Sequence, residues 1–259
     1  METLTALFIG LFGLAWGSFL NVIIFRLPRS MSLISPPSTC PGCGRRIRPY
    51  DNIPVLSYLV LRGRCRRCGF RIPPSYFLVE AATPASFLII FSRHGLPLGT
   101  SFFASALFAS AMIVLGVIDY HHKIIPDAIT IPGLVLALGY GAFRPDMSFT
   151  RALAGAAVGA GFLLFVYGSY YLIRKKEGLG MGDVMLMLLV GAYLGWMRTV
   201  FTLILASIVG AAVGMTFVIF RKKDMQAELP FGSFLAPAAF VSLIWGDALI
   251  AAYLGLFKR

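Results

Sequence analysis

Residues 102–118 read FFASALFASAMIVLGVI and run straight into Asp119. The run carries no charge, and its small and aliphatic residues suit a helix in bilayer hydrocarbon, which takes about 20 residues to cross. A membrane β-strand would be shorter and would alternate polar with apolar positions. Similar runs lie on both sides. They cover about Leu4–Phe25, Tyr76–Phe91, Ala128–Phe143 (interrupted near Pro132), Ala152–Ile173, Val184–Leu194, Thr199–Phe220 and Ser233–Phe257. The expected fold is therefore an all-α polytopic membrane protein with about eight transmembrane helices. Bulk composition agrees. The chain has 259 residues, 58% hydrophobic and 13% charged, with a mean hydropathy of +0.81. A soluble domain would carry roughly a quarter charged residues. Leu4–Phe25 has no basic segment before it and no small-residue cleavage site after it, so it reads as a first span and not as a removed signal.

The formal net charge is +12. In a soluble chain that would point to nucleic acid. Here the basic residues fall in particular loops, which points to topology. With the N-terminus outside, the inside loops are 26–75, 119–127, 174–183 and 221–232, and they hold 17 of the 23 basic residues. Lys and Arg stay on the cytoplasmic side, so these loops are expected there. The chain then divides into a first transmembrane helix (1–25), a cytoplasmic segment (26–75) and a transmembrane domain (76–259).

All four cysteines lie in the cytoplasmic segment, as Cys40-Pro-Gly-Cys43 and Cys65-Arg-Arg-Cys68, with 21 residues between the pairs. Two residues between thiols let both sulfurs face one tetrahedral ion at about 2.3 Å. Gly42, Gly44 and Gly69 sit where a tight knuckle needs unusual backbone angles. Paired C-x-x-C units in a reducing compartment favour metal over disulfides or a redox dithiol. Zinc held by Cys40, Cys43, Cys65 and Cys68 would leave no open coordination position, so its role would be structural. A segment of about 50 residues has little core of its own and gains from such a staple.

Of the chain's eleven acidic residues, Asp119, Asp127, Asp183 and Glu80 stand at or near predicted span boundaries. A carboxylate at membrane depth costs several kcal/mol unless it is paired or faces a polar cavity. Asp127 follows Pro126 and opens a helix, where a capping role suffices. Glu80 fits the polar edge of the second span. Asp119 ends a helix, where the dipole disfavours an anion, so it should be paired or needed. Asp183 sits in Gly180-Met-Gly182-Asp183, whose glycines allow close backbone approach. The predicted topology puts Asp119 and Asp183 on one membrane face. Two carboxylates that share a proton and hold a water are the machinery of an aspartyl protease. The same acids would also suit a proton-coupled transporter, which gives no reason for paired C-x-x-C units. A zinc-ribbon module that binds nucleic acid or a partner through its arginines is a third possibility, for which eight spans are far more than an anchor needs.

The motifs then combine. Gly17-Ser-Phe-Leu-Asn-Val22 with Arg26-Leu-Pro28 comes first, followed by Cys40-Pro-Gly-Cys-Gly44, Tyr50-Asp-Asn-Ile-Pro54 and Leu61-Arg-Gly-Arg-Cys-Arg-Arg-Cys-Gly69. Ile118-Asp119 with Ile125-Pro-Asp127, Gly178-Leu-Gly-Met-Gly-Asp183 and Leu229-Pro-Phe-Gly-Ser-Phe234 complete the set. In this order they resemble the type IV prepilin peptidases, bifunctional leader peptidases and N-methyltransferases of the GxGD type. The resemblance implies Asp119 and Asp183 as the catalytic pair, with Asp127 the rival for the first position. It implies a structural zinc domain, a bacterial inner-membrane location and prepilin or pseudopilin substrates of pilus and type II secretion systems. It further implies cleavage of a basic leader at the cytoplasmic face, then methylation of the new N-terminus from S-adenosylmethionine. The partners it implies are these substrates and the lipid bilayer, without nucleic acid. No nucleotide-binding fingerprint is legible. One departure is the run Ile72-Pro-Pro-Ser-Tyr-Phe-Leu-Val-Glu80, which lacks the arginine the family usually has beside the tyrosine. Asp51, Glu177, Asp224 and Glu228 lie in inside loops, and some of them are expected to attract the basic leader locally.

Overall fold

The computed structural model describes residues 1–144, 147–175, 180–221 and 230–256. Helices are the regular elements among them: α1 (Glu2–Arg26), α2 (Leu56–Val60), α3 (Pro74–His94), α4 (Thr100–His122), α5 (Asp127–Phe143), α6 (Phe149–Arg174), α7 (Met181–Leu194), α8 (Trp196–Arg221) and α9 (Gly232–Leu256). Six helical segments are long and apolar enough to cross a membrane: Glu2–Arg29, Pro74–His94, Thr100–His122, Phe149–Arg174, Trp196–Thr216 and Gly232–Leu256. The other two expected spans are apolar but shorter, Asp127–Phe143 and Met181–Leu194. At 1.5 Å per residue, α7 is about 21 Å long, less than the hydrocarbon thickness.

Helix boundaries follow local chemistry. α3 starts with a proline in its first turn and stops at Gly95, whose φ of +67° suits a residue without a Cβ. Ser148 caps α6 by accepting the Arg151 N–H. Asp127 is the first helical residue of α5, whose cap position is Pro126, so it sits one residue further in than a capping acceptor would.

The chain forms two compact units, Met1–Val114 and Leu115–Arg259, and the division falls within α4. In the first unit α1 packs on α3 through glycines. A Cβ on Gly13 would meet Pro84 Cα at 2.7 Å, and one on Gly17 would meet Glu80 Cα at 3.0 Å. Small residues four apart are the usual device for close helix approach in a bilayer, where lipid supplies no hydrophobic drive between helices. Trp16 Nε1 donates to Ser110 Oγ at 3.0 Å, and the Phe12 and Phe87 rings stack 6.5 Å apart.

In the second unit α7 is the central element. Leu186, Met187, Val190 and Ala192 are fully buried, and a helix apolar on every side belongs inside. It meets α6 where Gly155 faces Gly191, and a methyl at either glycine would overlap the other's carbonyl oxygen. Gly191→Ala should therefore lower stability by about 1–3 kcal/mol or more. Gly161→Ala, on the same α6 but facing open space, should not. Thermal unfolding of both variants in one detergent checks the contrast.

Candidate active site and metal centre

Asp119 lies in the last turn of α4 and Asp183 in the first turn of α7, and both side chains are buried, at 5% and 8% exposure. They converge on the start of α9. Asp119 Oδ2 accepts the Ser233 N–H at 2.7 Å. The backbone N–H groups of the adjacent Gly232 and of Gly180, the cap residue of its own helix, lie near the Asp183 carboxylate and favour its charge. The two carboxylates thus gather at the first N–H groups of α9, close enough for their charges to interact.

This arrangement explains how an anion survives at the C-terminal end of α4. The positive N-terminal end of α9 faces Asp119 and offsets the unfavourable end of its own helix. Lys123 adds a cation nearby. Asp183 is favoured from its own helix, because it stands in the first turn, at the positive end of the helix dipole.

The glycines around the pair are there for space. A Cβ on Gly232 would stand 3.0 Å from Asp119 Cγ and 2.8 Å from Ile125 Cδ1. A Cβ on Gly182 would stand 2.9 Å from Ile125 Cβ. Ile125 is therefore wedged between the two glycine turns that hold the carboxylates. Gly232→Ala must push Asp119 or Ile125 aside, and a shift of about 1 Å in an active site costs on the order of 100-fold. The expected result is a folded protein with peptidase activity reduced by about that factor. A peptide cleavage assay beside a thermal melt checks it.

Of the residues singled out from sequence, Asp119 and Asp183 are brought together. Asp127 is exposed, and among the described residues its carboxylate has no hydrogen-bond partner. Asp51 pairs with Arg66 at 2.8 Å. Glu177, Asp224 and Glu228 lie outside the described residues, as do Gly178, Leu179 and Leu229 of the quoted motifs. Sequence reasoning quoted Gly232 and Ser233 as part of a late motif without a role, because N–H groups of an incoming helix leave no side-chain signal.

The four cysteines also converge. Their sulfurs lie within 4.8 Å of one another, with Cys40 and Cys68 at 3.7 Å. Sulfurs at the corners of a tetrahedron around zinc stand about 3.8 Å apart, so the cluster fits that ion. The two C-x-x-C units are built alike. Cys40 N–H donates to Arg45 O at 2.9 Å and Cys65 N–H to Phe70 O at 2.8 Å. Gly44 N–H returns to Cys40 O at 2.8 Å and Gly69 N–H to Cys65 O at 3.0 Å. Gly44 and Gly69 have φ of +68° and +69°, which closes each turn. Single β-bridges flank the turns, Thr39 with Arg46 and Arg64 with Arg71. A local duplication of one knuckle by the other is thus present in the backbone. The backbone N–H groups of Cys68 and Arg67 point at the Cys65 sulfur and lower its pKa to about 6. The Phe70 N–H acts in the same sense on Cys68, but burial and the hydrogen bonds to Cys65, Cys40 and Cys43 outweigh it and push Cys68 up to about 11. The Cys65 thiolate forms readily, and Cys68 holds a proton that a divalent ion would displace.

A helical chain with six helices long and apolar enough to cross a membrane, a buried carboxylate pair and a four-thiol cluster that could hold a metal ion has the parts of a membrane peptidase. Residues 11–94 match the bacterial peptidase A24 N-terminal domain, and residues 106–215, which hold both aspartates, match the type IV leader peptidase family. The chain is 36% identical to a prepilin leader peptidase/N-methyltransferase of Pseudomonas putida, over 94% of this chain and 92% of the relative. It is 35% identical to the protein of that description in Pseudomonas aeruginosa, over 94% and 91%, and 35% identical to one in Dichelobacter nodosus, over 96% and 94%. No solved structure matches the chain. The chain belongs to the type IV leader peptidase family.

Proposed function

We propose that the protein cuts the leader from type IV prepilins or type II secretion pseudopilins at the cytoplasmic face of the bacterial inner membrane, and then methylates the new N-terminus. The observation that carries the peptidase reading is the convergence of Asp119 and Asp183 on the first N–H groups of α9. In this reading the two carboxylates share one proton and hold a water. The ionised carboxylate takes a proton from the water as its oxygen attacks the scissile carbonyl. The protonated one donates to the carbonyl oxygen. Collapse returns a proton to the leaving amine, and no covalent intermediate is needed. Gly182 and Gly232 let Ile125 and the aspartate side chains pack closely at the pair.

The remaining assignments follow the same reading. Eight helices cross or enter the bilayer, with α5 and α7 as the short members. Residues 26–75 form a cytoplasmic domain between the first helix (1–25) and the protease domain (76–259). Cys40, Cys43, Cys65 and Cys68 hold a zinc ion that fixes this domain and takes no part in the chemistry. S-adenosylmethionine is the methyl donor.

The test is cleavage of a purified prepilin by the full chain in detergent or lipid nanodiscs. A single cut with release of the basic leader is expected. Asp127→Asn should keep most of the wild-type rate, because that side chain is solvated and unpartnered among the described residues. A wild-type chain that leaves every prepilin intact, yet conducts protons across vesicles, would favour the transporter reading instead.

A further inference from the structure

The cysteine-bearing segment between α1 and α3 is tied to the membrane helices at more than its two ends. Its helix α2 lies alongside the first two turns of α3. The Tyr58 ring packs on Phe77, the fourth residue of α3, with centroids 5.4 Å apart. Glu80, the seventh residue of α3, accepts the Val55 N–H through Oε2 at 2.7 Å. Val55 has φ +64°, which a β-branched residue rarely adopts, and this bond holds that strained turn at the start of α2. α3 is long and apolar enough to cross a membrane. At 1.5 Å per residue, Glu80 stands about 9 Å along it, so α2 sits at the depth where α3 enters the bilayer and not above it.

One face of α2 is left open. Leu56, Leu59 and Val60 fall at i, i+3 and i+4, which puts them on a single side of a helix, and they are 55%, 57% and 66% exposed. Ile53, just before the helix, is exposed as well. The other side is engaged. Ser57 Oγ donates to Tyr50 O at 3.0 Å and accepts the Ile53 N–H at 2.9 Å, while Tyr58 meets Phe77. A contiguous apolar patch of this kind marks a surface made for a partner or a membrane. Basic residues follow it. Arg62, Arg64 and Arg71 are exposed, and their guanidinium groups have no carboxylate partner among the described residues. Arg64 and Arg71 stand opposite each other in an antiparallel β-bridge, which like charges disfavour unless an anion joins them. Arg71 is three residues before the start of α3, and so within about 10 Å of it. That is headgroup level, where lipid phosphates supply anions that suit a guanidinium.

We propose that α2 is an interfacial element. Leu56, Leu59 and Val60 enter the acyl edge of the leaflet where α3 begins, and Arg62, Arg64 and Arg71 hold the phosphates of anionic phospholipids there. An apolar helix face with a basic flank lies in the plane of a membrane for two reasons together, buried apolar area and attraction to anionic lipid. The occupant is a membrane and not a second protein, because Phe77 and Glu80 pin the patch to the depth of a spanning helix and because its flank carries unpaired arginines. The cysteine segment is therefore seated in the leaflet and is not a free domain above it. The proposal goes beyond peptide cleavage and methylation and stands whichever reaction the protein carries out.

The test places the photoreactive residue p-benzoylphenylalanine at Leu59 of the full chain, in nanodiscs of phosphatidylcholine mixed with phosphatidylglycerol. The same reporter at Leu78, an exposed residue of α3, marks a position on a spanning helix. Mass spectrometry reads the adducts. Lipid adducts at 59 are expected within about fivefold of the yield at 78. Phosphatidylglycerol should be enriched among them by about threefold or more over its share of the mixture. Arg62→Gln, Arg64→Gln and Arg71→Gln together should return that share to the mixture's, while the lipid adducts at 78 do not change. Should position 59 not accept the reporter, Val60 carries it with the same expectation. A yield at 59 below that fivefold range overturns the proposal. So do adducts from 59 to protein, which would make the patch an interface with a second copy or another part of the chain. Lipid adducts at 59 in the ratio of the mixture, or an enrichment that outlasts loss of the three arginines, overturn the role given to the arginines.

Discussion

Asp119→Asn and Asp183→Asn are each expected to reduce prepilin cleavage by about 10⁴-fold or more, with the protein still folded. The size follows from the way catalytic groups act as a unit: removing one member forfeits nearly the whole advantage of the set. Asparagine matches aspartate in volume and can still accept the Ser233 or Gly232 N–H through its oxygen, so the turn at the start of α9 should survive. What it cannot do is take a proton from water or pass one to the carbonyl. The measurement is the initial rate of leader release, read beside a thermal melt in the same detergent. A double variant no worse than either single one would identify a pair acting together. Retention of more than a tenth of wild-type activity by either single variant would sink the assignment. If Asp127→Asn were inactive and Asp119→Asn active, the family would stand and the first catalytic aspartate would move to the other end of the 119–127 loop.

The second large effect concerns the thiol cluster. Metal analysis of protein purified without chelator should give one zinc per chain. Removing the ion, or replacing Cys40 by serine, should unfold residues 26–75. Binding to four-ligand sites of this kind contributes about 10–16 kcal/mol in small zinc peptides at neutral pH, far more than a segment this size can gain from its own core. Cys40 is the ligand to change first because it is the buried one. Limited proteolysis gives the readout. Cuts should appear at the arginines of the 62–71 stretch once the metal is gone, while thermal unfolding of the membrane helices changes little. A segment that stays protected after complete metal removal would show that packing alone holds it. The ion pair between Arg66 and Asp51 is not enough for that, since the guanidinium is half exposed and such pairs contribute at most about 1 kcal/mol.

The two effects should separate. Loss of the aspartates removes chemistry and leaves the fold. Loss of the metal removes a fold and leaves the aspartates in place.

Much of this was legible in the sequence because each signal is local. Charge-free apolar runs fix helices, since a backbone in lipid must satisfy its own hydrogen bonds. The C-x-x-C spacing fixes which sulfurs can meet one ion, because two intervening residues set the distance. Asp119 stood out because an anion at a helix C-terminus needs a reason. The tertiary structure alone decided what answers that anion. It is the N-terminus of α9, more than a hundred residues away, and the donors are backbone N–H groups whose identity no side chain encodes. The same limit hid the link between Glu80 and Val55, a bond from a span to a strained turn across the metal segment. It also hid the likeness of the two knuckles, whose residues differ while their backbone hydrogen bonds coincide. Sequence by itself determined which residues carry charge, thiol and helix. Only the folded chain decided which of them meet, because those meetings depend on long-range helix packing through glycines such as Gly182 and Gly232, where the absence of a side chain sets the distance.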